Sequence, residues 1–94
     1  MTTNEILTVL KTDLEISTNL RDGYLKNLIT LAENSIEKEG IKLCDGTVAE
    51  GMLVEMYAAH LYRQRRGGSP ALPRHLRYAL NNKLMSQKGS ADNG

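Results

Sequence analysis

Between Met52 and Tyr62 the only formally charged residue is Glu55, set among Met52, Leu53, Met56, Tyr57, Ala59, Leu61 and Tyr62. At helical spacing these apolar side chains cannot all lie on one narrow face, and a helix apolar most of the way round must be covered on several sides. In a chain of 94 residues the segment is therefore a central helix, a subunit interface, or both. The run ends in Arg63, Arg65 and Arg66, breaks at Gly67-Gly68 and Ser69-Pro70, and restarts at Pro73. Glycine terminates helices, proline cannot continue one, and a proline at the first helical position forfeits no hydrogen bond.

The rest of the chain reads as helices around that segment. Thr2 and Glu5 have capping-box spacing, and Ile6, Leu7, Leu10 and Leu14 follow as one apolar stripe. Glu15 to Asn19 is a connector rich in Ser, Thr and Asn, which favour turns. Asp22 is placed to cap a second helix whose stripe is Leu25, Leu28, Ile29, Ala32 and Ile36, ending at Gly40. A loop with Cys44 and the turn pair Asp45-Gly46 leads to a second Thr-x-x-Glu pattern, Thr47 to Glu50. After Pro73, Leu76, Leu80 and Leu84 recur every four residues beside Ala79. The expectation is an all-α fold: a small bundle of four helices, about 3–14, 22–39, 48–66 and 73–86. They form a single domain, 1–86, followed by a flexible tail at 87–94 with no apolar anchor. The absence of Trp and Phe suits packed helices better than a β-sandwich.

Catalytic constellations are not apparent. Cys44, His60 and His75 lie in separate segments, with no HxxxH, HExxH or CxxC spacing to bring two metal ligands together. His60 reads as a packed or interface histidine and His75 as solvent-facing. No Gly-x-Ser-x-Gly elbow and no phosphate-binding glycine pattern occurs. The expectation is a protein with no enzymatic activity, no metal and no cofactor. A single cysteine and no apolar run near the ~20 residues of a membrane span point to a soluble cytoplasmic product without a membrane partner.

The net charge of +1 conceals an asymmetry: ten acids to five bases up to Met56, then seven bases to one acid. Halves of opposite sign suit an acidic partner for the C-terminal half, head-to-tail contact between copies, or simply a bipolar solvated surface. Arg63, Arg65, Arg66, Arg74 and Arg77 could neutralise phosphates, but arginines also favour the negative C-terminal end of a helix. A small helical nucleic-acid-binding or regulatory protein using this basic half is accordingly the alternative reading.

Certain phrases, taken in order, carry a family resemblance. Leu10-Lys11-Thr12-Asp13-Leu14 closes a short first helix, and an L-x-x-L-I-x-x-A-x-x-x-I phrase runs from Leu25 to Ile36. Leu61-Tyr62-Arg63 ends the apolar helix, and Leu72-Pro73-Arg74-His75-Leu76-Arg77-Tyr78-Ala79-Leu80-Asn81-Asn82 opens the last. From about residue 4 to 88 this resembles the small head-tail connector proteins of tailed bacteriophages and prophages. The RRGGSP stretch is where such chains vary freely. The resemblance implies a structural subunit that oligomerises as a ring below the portal, extends the DNA channel, and joins head to tail in the virion neck, assembled in the bacterial cytoplasm. Implied partners are copies of itself, the portal protein, a tail-side stopper or tail-completion protein, and DNA passing without sequence-specific contact. On this reading Met56, Tyr57, Tyr62, Arg63 and Arg66 are candidates for the oligomer interface. Arg74, Arg77, Lys83 and Lys88 are candidates for a basic face toward portal or DNA.

Overall fold

The structure, a computed structural model, describes residues 1–44 and 46–93, with side chains to residue 88. Four helices follow one another: α1 (Thr3–Asp13), α2 (Asp22–Lys38), α3 (Val48–Arg65) and α4 (Arg74–Asn93). The first three match the expected bounds to within a residue. The fourth runs past the expected stop at residue 86, because Gln87 is tied to the 40s loop. Its Nε2 donates to the Lys42 carbonyl and its Oε1 accepts from the Lys42 N–H, both at 2.8 Å. The side chains of 89–93 and all of Gly94, most of the expected tail, lie outside the described residues, as does Asp45 of the expected turn.

Helix ends follow local chemistry. Thr2 and Glu5 form a complete capping box, and the Thr2 N–H held by the Glu5 carboxylate keeps that carboxyl below its usual range. Thr47 caps α3 by accepting from the Glu50 N–H at 3.1 Å. Asp22 does not cap α2: Arg21 holds that position, and the Asp22 carboxylate sits in the first turn, 2.9 Å from Lys11 Nζ. Pro73 immediately precedes α4, its carbonyl accepting the helix's early bond from the Arg77 N–H.

Two helices end in the same six-residue motif. After α3 the Gly67 and Gly68 N–H groups return to the carbonyls of Gln64 and Arg63, with Gly67 left-handed at φ +93°. At Gly68 a Cβ would lie 2.8 Å from the Arg63 carbonyl oxygen, so both glycines are required there. After α1 the Glu15 and Ile16 N–H groups return to Thr12 and Lys11, but the left-handed residue is Glu15, at φ +58°. A side chain in that conformation is strained by about 1 kcal/mol. Glu15→Gly is therefore expected to raise stability by about 0.5 kcal/mol once glycine's larger unfolded-state entropy is subtracted, read as a higher midpoint in urea denaturation.

The core is one cluster. Leu10, Leu25, Leu28, Ile29, Ile36, Leu76 and Leu80 are its largest fully buried apolar side chains, joined by Ile41 from the loop. α3 is the central helix, packed against all three others, and Ala58 and Ala59 let its neighbours approach closely. Most of the apolar surplus of α3 is covered within a single chain: Tyr62 is buried, and Met56 and Tyr57 are half-buried against the core.

Candidate functional site

α1 and α3 run in the same direction and α2 runs against them, since Asp13 pairs with Arg63 at one end while the Met1 amino group reaches the Gly46 carbonyl at the other. The start of α2 therefore lies beside the end of α3. Six side chains meet there around an open groove of about 400 Å³: Leu20, Arg21, Tyr24, Tyr62, Arg65 and Arg66. Tyr62 anchors it. Its hydroxyl accepts from Arg21 at 2.5 Å and from Arg66 at 3.4 Å, and its ring lies 6.4 Å from that of Tyr24, tilted by 58°.

The arginines are positioned by the rings. The Arg66 guanidinium sits 5.5 Å from the Tyr62 ring centre and that of Arg65 sits 5.7 Å from the Tyr24 centre, both within cation–π range. No carboxylate among the described residues pairs with Arg21, Arg65 or Arg66. At the rim, Leu20 is 92% exposed, a large apolar side chain that no described residue covers. Tyrosine and arginine are among the residue types enriched at protein–protein hot spots.

A second hollow, of about 550 Å³, shares Tyr62 and Arg66 with the first and is lined by Asp13, Glu15 and Arg63. Asp13 accepts from Arg63 at 3.3 Å and also bonds the carboxyl of Glu55 beneath it. Glu55 is only 2% exposed, and its Oε1 is buried with no hydrogen-bond partner. Burial, then the hydrogen bond to Asp13 and that residue's charge, push its carboxyl up to about 8 against the smaller opposing pull of Arg63. At neutral pH Glu55 is a protonated acid donating to Asp13. Burial likewise raises Glu33, helped by the nearby charges of Glu37 and Glu50.

The candidates read from the sequence are dispersed. Tyr62 and Arg66 fall in the groove, Arg63 pairs with Asp13, and Met56 and Tyr57 flank α3 elsewhere, Tyr57 edge-on to buried His60. On α4, Arg77 is held by Glu39 at 2.7 Å and Lys83 approaches Glu50 at 3.9 Å, so these two bases brace the helix against the bundle. Arg74 and Lys88 are exposed, as is His75. Leu20, Arg21 and Tyr24 were not anticipated, and Arg65 gains a definite place. Among the described residues no group of three could hold a metal ion, and no helix is long and apolar enough to cross a membrane. No protein-family model, no curated protein and no solved structure matches the chain.

Proposed function

We propose that the chain is an assembly subunit, a head-tail connector that forms a ring below a phage portal, with no catalytic role of its own. The observation that carries this reading is the uncovered face of α4. The helix is about 30 Å long at ~1.5 Å per residue, and Leu76 and Leu80 anchor it in the core. Two turns apart on its outer side, Tyr78 and Met85 remain 59% and 68% exposed, with Arg74 one turn before them. A small domain that leaves large apolar side chains in line on a projecting helix has a face suited to another chain. The order of sequence phrases supports the connector role within that class.

On this reading, neighbouring copies meet through Tyr78 and Met85 together with the half-exposed Met56 and Tyr57, and the ring closes by a head-to-tail contact. The channel that results carries DNA without reading its sequence. Sedimentation velocity over a wide concentration range tests the subunit reading, with self-association expected to weaken markedly in Tyr78→Ser/Met85→Ser. A sedimentation coefficient that stays that of a monomer at every concentration contradicts it.

The nucleic-acid reading rests on the groove's three arginines beside two tyrosines. It expects duplex binding that falls steeply with salt. The ring faces count against it: Tyr62 is buried, and Arg65 already lies over Tyr24.

A further inference from the structure

We propose that the groove between the start of α2 and the end of α3 docks an acidic segment of a different protein, one presenting an apolar side chain among its carboxylates. The inference rests on the assembly reading and names the chemistry of its heterologous partner. Three guanidinium groups line one groove and find no carboxylate among the described residues. Arginine's planar fork is the side chain best suited to carboxylates, and stacking on Tyr24 and Tyr62 holds two of the three forks in place before any partner arrives. Leu20 at the rim supplies the apolar contact.

Among its described side chains, a second copy is a poor source of those carboxylates. Asp13 is engaged by Arg63, Asp22 by Lys11, Glu39 by Arg77, and Glu50 lies near Lys83. Glu55 is buried, Glu5 caps its own helix, and Glu33 is half-buried. Among the described side chains this leaves Glu15 and Glu37 as exposed acids, one just after α1 and the other near the end of α2. Because α1 and α2 run in opposite senses through Leu14–Arg21, those two lie toward opposite ends of the bundle and cannot enter one groove together. A long polyanion gains little more, since in the adjoining hollow Arg63 and Arg66 are balanced by Asp13 and Glu15. A short acidic polypeptide with an apolar residue meets both the charge and the shape.

The test uses fluorescence anisotropy with a labelled peptide of about twelve residues, Glu and Asp around a central Leu, at physiological salt. Saturable binding is expected. Arg65→Glu/Arg66→Glu should weaken it at least about tenfold, and Leu20→Ser about threefold. Arg65→Lys/Arg66→Lys keeps the charge without the fork and should fall between wild type and the glutamate variant. Lys38→Glu, exposed at the far end of α2 and outside the groove, should change nothing, and unchanged circular dichroism confirms that each variant is folded. The proposal is overturned by binding that ignores Arg65 and Arg66, by equal weakening from Lys38→Glu, or by a single-stranded oligonucleotide of equal charge binding as tightly. A chain that self-associates yet ignores the peptide removes the groove inference alone. One that binds the peptide but stays monomeric removes the ring subunit reading and keeps the groove.

Discussion

Glu55→Gln is expected to match the wild type in thermal stability near pH 5 and to exceed it by about 3 kcal/mol near pH 8. The Glu55 carboxyl is protonated in the folded chain up to about pH 8, while in the unfolded chain it ionises near its ordinary value of 4.5. Between those values the folded state binds a proton that the unfolded state has lost. Wild-type stability therefore falls as pH rises through this window, by up to about 1.4 kcal/mol per pH unit. Glutamine keeps the shape and a donor for Asp13 and has nothing to ionise, so the slope disappears. In melting temperature the gap at pH 8 should be on the order of 10 °C, and other titrating groups cancel in the comparison of the two proteins. Parallel pH profiles would falsify this assignment. The same acid lies beneath Asp13 and Arg63, so ionising it adds a negative charge directly under the second hollow.

The second large effect concerns the attachment of α4. Leu80 is 1% exposed and, with Leu76, plugs the helix into the core. Leu80→Ala removes buried methyl groups and leaves a cavity, with an expected loss of about 3 kcal/mol. In a domain this small that is a large share of the total stability. Because Leu76 and Leu80 belong to the same cluster as Leu10 and Leu28, the loss should appear as one earlier cooperative transition in urea. A separate early phase confined to α4, with the main midpoint unmoved, shows instead that the helix is an independent arm. The distinction matters for assembly, since a face carrying Tyr78 and Met85 can define a contact only if its helix is fixed.

Most of the fold was legible because its signals are local. The stripes of α1 and α2, the Thr2 and Thr47 caps and the Gly67-Gly68 stop depend on residues within a few positions of one another. The left-handed Glu15 was not legible, because nothing in a glutamate announces a conformation imposed by the chain's return toward α2. The role of α3 was half legible. A helix apolar all round needs several neighbours, but sequence alone does not say whether they belong to the same chain. Here α1, α2 and α4 supply most of them, so Tyr62 faces the core. The groove was hidden for a different reason: Arg21 and Tyr62 are 41 residues apart, and only the antiparallel packing of α2 on α3 joins them. Arg63, Arg65 and Arg66 also serve the helix end. They occupy the last turn and C-cap of α3, and two of them line the groove.

Part of the charge asymmetry of the chain is consumed inside it. Acids of the first half meet bases of the second in Asp13–Arg63, Glu39–Arg77 and Glu50–Lys83. Beyond these pairs lie a cluster of arginines at one end and an apolar line on the last helix. These are two separate faces, which the proposals above give to an acidic partner and to a neighbouring copy. Electron microscopy of the concentrated, purified full chain tests this most directly. Closed rings of uniform diameter are expected, retained by Arg65→Glu/Arg66→Glu and lost in Tyr78→Ser/Met85→Ser. A field of single small particles from the wild-type chain, or rings that survive the Tyr78 and Met85 substitutions, contradicts it.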